Sequence, residues 1–253
     1  LICEQASIKI GGVTMDTIYS DFLFMWEELT GSPGKRLTEM IGKRFCRSEL
    51  ICDSRSPRRL YVPLPFWFTH DPGMALSLTS LAFHGVTIDF RFQDKKNLIV
   101  TSPDAGQVVN CATGCCLTDN DMSAQLLTTN VYLDTKERDL FASSNHHTVM
   151  TQTQHFKHGF RDSSLRANLN FNHPVTCLMW AIRRQVNEDA NSWFNYSGIG
   201  NQDPMKSCTL RLNNQIRFGG DCPEYYRLVQ PYQHWPNIPN SFIYSFSFAL
   251  KPF

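Results

Sequence analysis

The chain has 253 residues, 42% of them hydrophobic and 19% charged, with 13 prolines and 14 glycines, a globular composition that excludes disorder and collagen. Its formal net charge is +1, from 24 Lys and Arg against 23 Asp and Glu, so it has no broad attraction for nucleic-acid phosphates or anionic membranes. No apolar run approaches the roughly 18 to 20 residues that a membrane-spanning helix requires, and the length favours two domains of ordinary size.

The chain has nine cysteines, and only Cys115 and Cys116 are neighbours. An odd number of scattered cysteines favours free thiols in a reducing compartment over a disulfide framework or zinc knuckles. Whether Cys111 pairs with either of these two, or whether the three bind anything, stays open at this point.

The chain begins with a predicted β-hairpin that is followed by a helix. Residues 6–16 alternate apolar and polar side chains around Gly11 and Gly12, a pair able to adopt the positive φ angles of a tight turn. From residue 17 to residue 29 the period changes to three and four, which predicts a helix with one apolar stripe. The stripe consists of Phe22, Met25, Trp26 and Leu29.

A long surface loop is predicted from residue 31 to residue 59, because this segment is rich in basic residues and turn formers. Residues 60–68 are dense in aromatic and β-favouring side chains, but Pro63 and Pro65 would each remove a donor from a central strand. An edge strand or a bulged strand is therefore expected there.

Two further strands are predicted at residues 75–80 and 86–92, after the turn that His70-Asp71-Pro72-Gly73 indicates. A strand at residues 126–133 follows a polar, turn-rich stretch. The sequence DTKERDLFASS then predicts a short connecting helix, with Asp134 or Thr135 as its N-cap.

Strand patterns resume beyond this connector. They cover residues 148–156, 165–171, 175–183, 207–217 and 243–250. The last of these alternates large and small residues, as a half-buried strand would. Many short strands separated by turn clusters indicate a sandwich or jelly roll, so the predicted fold class is all-β with short helices in loops.

A weak internal echo favours two similar halves. The sequence ASIKIGGVTMD at residues 6–16 is similar to CTLRLNNQIRF at residues 208–218. Asn213-Asn214 stands where the first hairpin has Gly11-Gly12, and both pairs tolerate left-handed turn geometry.

Several segments resemble, in order, the double jelly-roll major capsid proteins of nucleocytoplasmic large DNA viruses, such as iridoviruses and phycodnaviruses. IGGVTMDTIYSDFLFMWEELT and LYVPLPFWFTHDPGMALSL are similar to the family's hairpin with its Trp-bearing helix and to its PLPFWF-type strand. VYLDTKERDLFA resembles the family's connector, LNFNHPVTCLMWAIR its Asn-His-Pro segment, and SFIYSFSFALKP its closing strand. The resemblance covers nearly the whole chain.

The resemblance implies two consecutive eight-stranded antiparallel jelly rolls. Residues 1–138 would form the first, which lacks its opening strands, and residues 139–146 the connector. Residues 147–253 would form the second, which lacks its last strand. We therefore expect an internal fragment that is incomplete at both ends. Asp71 departs from the family's usual Asn before Pro-Gly, and the sequence CATGCCLTDND matches no family segment.

A structural role follows from the resemblance, with no catalytic residue, cofactor or metal. Homotrimers would form pseudo-hexagonal capsomers, whose mutual contacts tile the icosahedral shell of a large double-stranded DNA virus. Expected partners are other copies of the chain, minor capsid proteins and the internal viral membrane, without sequence-specific nucleic-acid binding. The protein would reside in the virion and be assembled in the host cytoplasm.

Three tryptophans among turn and edge elements, Trp26, Trp67 and Trp235, are candidate interface anchors, although large aromatics also fill jelly-roll cores. A basic loop is a candidate surface for acidic neighbours or a membrane. It contains Arg36, Arg44, Arg47, Arg55, Arg58 and Arg59. Asn195-Tyr196-Ser197 is a glycosylation sequon, so Asn195 is a candidate modification site.

Two other classes of function remain open alternatives. The metal alternative depends on His146, His147, His155 and His158. Of these, His147 and His155 share one strand face by parity, as metal ligands of a cupin would, but the four lack the tight cupin spacing. The sequence has no Gly-x-Ser-x-Gly elbow, Walker loop or His-Glu-x-x-His motif that would indicate an enzyme. A jelly-roll carbohydrate-binding module of lectin type is the main alternative, because this architecture also serves lectins.

Overall fold

The computed structural model describes residues 2–32, 37–44, 49, 57–81, 83–98 and 122–252. The chain divides into two compact units. The first contains Leu1–Ser20, Pro65–Asn172 and Asp189–Ser192, and the second contains Asp21–Leu64, His173–Glu188 and Trp193–Phe253. Each unit draws on segments from both sides of the expected connector. These units do not follow the predicted division into residues 1–138, 139–146 and 147–253 and do not test it, so that division stays a prediction.

A three-stranded antiparallel sheet, in the order β2-β1-β3, forms in the first unit. Its strands are β1 (Cys3–Ile10), β2 (Val13–Tyr19) and β3 (Val86–Phe92). Gly11 and Gly12 have φ angles of 58° and 82°, the left-handed values that a two-residue hairpin turn requires. The first predicted hairpin is thus confirmed. Ala6, Ile8 and Ile18 share one face of this sheet and are fully buried.

The helices of the described residues are short. They are α1 (Ser20–Thr30), α2 (Thr38–Ile41), α3 (Lys95–Leu98), α4 (Thr135–Ser143), α5 (Gln185–Asp189) and α6 (Gln230–His234). Turns of 3-10 helix lie at Trp67–Thr69, Pro72–Met74 and Ile199–Asn201, and a π-helix at Tyr225–Val229 precedes α6. None of the helices among the described residues has the length and apolar character to cross a membrane.

Local chemistry explains where two of these helices begin. Helix α1 begins three residues later than predicted, because residues 17–19 complete strand β2. Helix α4 begins as predicted: the Asp134 carboxylate accepts the Thr135 backbone N–H at 2.7 Å and forms a capping box with Glu137. A capping box satisfies N–H groups that the first turn of a helix cannot pair internally.

Two two-stranded antiparallel sheets form in the second unit. One pairs β4 (Cys177–Ala181) with β7 (Ile243–Ser247), and the other pairs β5 (Cys208–Leu212) with β6 (Gln215–Asp221). Asn213 and Asn214 have φ angles of 50° and 63° at the turn between β5 and β6. The second hairpin and its echo of the first are therefore confirmed.

The β4–β7 sheet is covered on both faces by side chains of the second unit. One cluster of buried residues comprises Leu29, Tyr196, Trp235 and Ile243, and the other comprises Tyr226, Tyr244 and Phe246. Ile243 and Tyr244 lie in different clusters because successive strand residues point to opposite faces. All five residues of β7 are buried. The predicted half-burial of this strand is wrong, because the first cluster covers the face of Ile243, Ser245 and Ser247, whose small residues were expected to meet solvent.

Five segments predicted as strands lie outside every ladder of the described structure. They are residues 60–68, 75–80, 126–133, 148–156 and 165–171. In the first, Pro63 and Pro65 lack the N–H groups that a ladder needs. In the other four segments, the alternating side chains favour an extended backbone, but a ladder also needs a neighbouring strand to pair with. At residue 152 the contact with β2 uses a side chain instead, because Gln152 Nε2 donates to the Met15 carbonyl at 2.9 Å.

The antiparallel sheets and short helices agree with the predicted all-β class. The arrangement of these strands in two jelly rolls stays a prediction.

Candidate functional site

The three predicted interface anchors all lie in packed surroundings. Trp67 and Trp235 are 3% and 6% exposed, and both belong to the buried core. Trp26 packs edge-on against Trp235, with ring centroids 5.8 Å apart, and stacks with Phe22 at 5.5 Å. These contacts fit the alternative that large aromatics fill the core. The role of the three residues as interface anchors stays a prediction that these contacts do not support.

The sequon at Asn195 lies in a loop that is held at its base. Asn195 is exposed, and its side-chain oxygen accepts the Ser197 backbone N–H at 3.0 Å and the Ser197 hydroxyl at 2.7 Å. Between them, Tyr196 is buried and its hydroxyl donates to Asp21 Oδ1 at 2.9 Å. The loop therefore presents Asn195 to solvent from a fixed base, and glycosylation there stays a prediction.

The basic loop is only partly within the described residues. Arg36, Arg47 and Arg55 lie outside them. Glu39, on helix α2, accepts hydrogen bonds from Arg44 at 2.7 Å and from Arg58 at 2.6 Å. The hydrogen bond and the charge of Arg44, followed by those of Arg58, lower the pKa of Glu39. Two of the six arginines thus share one carboxylate within the loop itself.

A buried polar network in the second unit was not predicted from the sequence. The Arg183 guanidinium, whose side chain is 12% exposed, pairs with Asp21 and lies 5.4 Å from the ring centroids of Trp193 and Tyr196. Burial, and then the Asp21 charge, raise the pKa of the Tyr196 hydroxyl. Arg183 and Asp21 are 162 residues apart in the chain, so no local pattern could have indicated their contact.

A second network joins Asp203, Tyr244 and Arg227. The Tyr244 hydroxyl donates to Asp203 Oδ1, and Arg227 Nε lies 3.5 Å from Asp203 Oδ2. Burial, and then the hydrogen bond to Asp203, raise the pKa of Tyr244. The hydrogen bond and the ion pair on Asp203 tie elements of the unit together, although Asp203 Oδ2 and Arg227 Nε form no hydrogen bond of their own.

The histidines of the metal alternative make separate contacts. The ring of His155 stacks on Tyr19 at 4.5 Å, and the ring of His146 stacks on Phe141 at 5.2 Å. Within the part of the chain that the structure describes, no three His, Cys, Asp or Glu side chains gather as a metal ion requires. Binding of no metal and no cofactor stays a prediction.

Extended segments with exposed apolar side chains are the most distinctive surface of the first unit. Residues 122–134 and 145–172 form no ladder. Tyr132 is 93% exposed and Val149 is 84% exposed. Other exposed apolar residues in these segments are Met122, Leu126, Leu127, Val131, Met150, Phe156, Phe160, Leu165 and Leu169. Contiguous exposed apolar surface is typical of interaction sites, whereas apolar side chains that are exposed singly are ordinary.

Antiparallel sheets, short helices and extended segments with exposed apolar side chains define the class of the chain as a β-protein. Comparison with protein families assigns residues 1–134 to the family described as major capsid protein N-terminus. Residues 137–253 match the family described as large eukaryotic DNA virus major capsid protein. The chain therefore belongs to the major capsid proteins of large eukaryotic DNA viruses, and the resemblance recognised from its motifs is confirmed.

Curated relatives show how much of a full-length protein the chain represents. It is 32% identical to the major capsid protein of Pyramimonas orientalis virus over 244 residues, which cover 95% of this chain and 55% of that protein. It is 26% identical to the major capsid protein of Paramecium bursaria Chlorella virus 1, covering 99% of this chain and 62% of that protein. For the major capsid protein of Frog virus 3 the identity is 24%, with coverage of 99% and 61%. The chain thus spans little more than half the length of these relatives.

Solved structures give an independent comparison of the fold. A chain of the PBCV-1 virus capsid superposes with a TM-score of 0.65 at 23% identity, covering 99% of this chain and 65% of that chain. PBCV-1 VP54, fitted into a reconstruction of the virophage Sputnik, gives a TM-score of 0.64 at 23% identity, with the same coverage. At this identity the likeness shows a shared fold.

Proposed function

We propose that the chain is part of a structural, non-enzymatic shell protein. In this proposal three copies form a pseudo-hexagonal capsomer, and capsomers tile the icosahedral shell of a large double-stranded DNA virus. The observation that carries the proposal is the exposed apolar surface of residues 122–134 and 145–172. Permanent assemblies bury such surface, and their interfaces exceed the roughly 1,600 Å² of a standard protein–protein contact.

A division of the protein into two consecutive jelly rolls is the second part of the proposal. The first family match ends at residue 134 and the second begins at residue 137. Both residues lie close to the start of helix α4 (Thr135–Ser143). The internal echo of the two hairpins also supports it, since each has two successive left-handed residues at its turn. We place the first jelly roll at residues 1–138, the connector at residues 139–146 and the second at residues 147–253.

The expected location and partners follow from the same role. The protein would reside in the virion after assembly in the host cytoplasm, and would contact minor capsid proteins and the internal viral membrane besides its own copies. The basic loop, with Arg59 exposed and Arg44 and Arg58 paired to Glu39, offers cationic groups for acidic partners or anionic lipids.

The mass of the full-length protein in solution tests this function. Light scattering should give a mass close to three times that of the protomer, because three copies close the capsomer. A stable monomer that binds sugars would contradict the proposal and favour the carbohydrate-binding module. Titration calorimetry of the same preparation with sugars and with divalent metal ions shows whether such a monomer binds either ligand.

A further inference from the structure

The basic loop concentrates positive charge in one short segment of the chain. Residues 35–59 contain eight Lys and Arg against three Asp and Glu, although the whole chain has a net charge of only +1. In the described part of this segment, Arg44 and Arg58 converge on the carboxylate of Glu39. A local excess of positive charge of this kind raises the concentration of anions near the loop.

The two arginines hold the Glu39 carboxylate in the way that proteins hold an external anion. Arg44 donates from both terminal nitrogens, from Nη1 to Oε1 at 2.7 Å and from Nη2 to Oε2 at 3.3 Å. Arg58 Nη2 donates to Oε2 at 2.6 Å. The paired, planar donors of a guanidinium group match the oxygens of a carboxylate or of a phosphate. The donors around Glu39 therefore suit either anion.

Exposure to solvent distinguishes the two donors from the acceptor. The side chains of Arg44 and Arg58 are 14% and 30% exposed, whereas that of Glu39 is 74% exposed. The carboxylate thus lies on the solvent side of the cluster, where an incoming anion would arrive. The hydrogen bond and the charge of Arg44 lower the pKa of Glu39, so this carboxylate is an anionic competitor at neutral pH.

Backbone contacts position the two arginines without help from the carboxylate. The Tyr61 N–H donates to the Met40 carbonyl at 2.8 Å, which fixes the chain after residue 57 beside helix α2. Gly42 ends α2 with a φ angle of 72°, and a Cβ atom there would lie 2.9 Å from Leu60 Cδ2. Each arginine is two residues away from Gly42 or Leu60 in the chain. Their guanidinium groups therefore stay close when the carboxylate moves, and their mutual repulsion favours another anion between them.

We infer that Arg44 and Arg58 bind a phosphate monoester or free phosphate, and that the Glu39 carboxylate is an internal competitor which the phosphate displaces. Such a phosphate carries up to about two negative charges at pH 7 and presents three oxygens, so it engages two guanidinium groups more strongly than one carboxylate does. The inference rests on the basic-loop part of the proposed function and names its ligand chemistry, but it does not depend on the trimer. The phosphate comes either from a lipid head group or from solution.

Calorimetric titration of the full-length protein with inorganic phosphate tests the site. Arg58→Gln should weaken binding by at least ~10-fold, because a hydrogen bond to a charged group contributes at least this factor. Arg44→Lys should also weaken it, since lysine keeps the charge but loses the paired donors. Glu39→Gln should strengthen binding by about five-fold, the factor that corresponds to a strong exposed ion pair. A gain of binding in this variant has no explanation in loss of folding.

Arg59→Gln is the matched control. Arg59 is exposed, follows Arg58 directly and carries the same charge, so its substitution removes an equal amount of positive charge from the loop. Phosphate binding should change by less than about two-fold, because exposed charges at this distance interact weakly in water. An equal loss with Arg58→Gln and Arg59→Gln would overturn the inference, since net charge alone would then explain binding. Unchanged or weaker binding in the Glu39→Gln protein would overturn the role of Glu39 as a competitor.

Vesicle flotation distinguishes the two sources of the phosphate. If the source is a lipid, phosphatidylcholine vesicles with phosphatidylinositol 4-phosphate should bind the protein, and the variants should rank as they do with inorganic phosphate. Vesicles with phosphatidylserine at equal total charge should bind less, and equal binding would overturn recognition of a phosphate monoester. Binding of inorganic phosphate alone would assign the site to phosphate in solution. A trimer that binds neither probe would overturn the inference and leave the proposed shell function intact, whereas a monomer that binds phosphate would do the reverse.

Discussion

Removal of the Arg183 side chain should destabilise the second unit far more than removal of a surface ion pair. Arg183 is 12% exposed, pairs with Asp21 and lies over two aromatic rings. In the Arg183→Ala protein, Asp21 keeps the Tyr196 hydroxyl as a donor but loses its positive partner. Breaking a buried pair costs about 3–5 kcal/mol. Because the Asp21 side chain is 31% exposed, we expect the free energy of unfolding to fall by about 3 kcal/mol, the lower end of this range.

Urea denaturation followed by tryptophan fluorescence measures this loss. Four of the five tryptophans belong to the second unit, namely Trp26, Trp180, Trp193 and Trp235, so the signal reports mainly on that unit. A loss of about 3 kcal/mol should lower the urea midpoint by roughly 1–2 M for a slope of about 2 kcal/mol per molar. Arg183→Lys should give an intermediate shift, because it keeps the charge but loses the planar fork.

Glu39→Gln is the control for this experiment. Glu39 contacts two arginines, at 2.7 and 2.6 Å, but its side chain is 74% exposed. Solvent screens such pairs, so this substitution should shift the midpoint much less. A shift for Arg183→Ala no larger than that for Glu39→Gln would refute the argument that burial, and not the number of contacts, decides the energy of these pairs.

Two further predictions concern buried titratable groups. Burial raises the pKa of Asp16 above its ordinary value of 3.8. The neutral carboxyl group therefore contributes to stability in full below pH 3.8, and this contribution is lost as the pH rises through the raised pKa. Asp16→Asn keeps an acceptor for the Thr17 and Thr153 N–H groups, and its unfolding free energy near pH 7 should equal or exceed that of the wild type. Asp16→Ala should lower it by about 1–3 kcal/mol, and denaturation at several pH values checks both variants. Burial raises the pKa of Cys177 to about 11, so iodoacetamide near pH 8 should modify exposed Cys222 and spare Cys177, as mass spectrometry would show. Equal labelling of both thiols would contradict the raised pKa of Cys177, which is partly buried.

Local turn and cap chemistry made part of the fold predictable from the sequence. The two hairpin turns and the N-cap at Asp134 depend on residues within a few positions of one another, and all three are confirmed. Gly11-Gly12 and Asn213-Asn214 adopt left-handed angles that few other residue pairs accept. The connector helix follows directly from its capping box.

Strand pairing was predicted less well, because it depends on distant segments. Residues 148–156 alternate as a strand does, yet the Thr153 N–H binds the Asp16 carboxylate at 2.8 Å instead of joining a ladder. Full burial of β7 depends on Tyr226 and Trp235, which lie outside the strand and cover opposite faces. A periodic pattern describes a segment by itself and does not identify what covers it.

Candidate surfaces were the least predictable feature. Of the tryptophans predicted as interface anchors, Trp67 and Trp235 are buried and Trp26 is partly buried, whereas Tyr132 and Val149 are exposed. Aromatic residues dominate interfaces and cores alike, so residue type alone does not separate the two.

Electron microscopy of the full-length protein tests the central claim most directly. If the chain belongs to a shell protein that forms capsomers, averaged images of purified particles should show a pseudo-hexagonal outline with three-fold symmetry, and a map should resolve two jelly rolls in each copy. Monomers, two-fold dimers or a single barrel in each copy would contradict the claim.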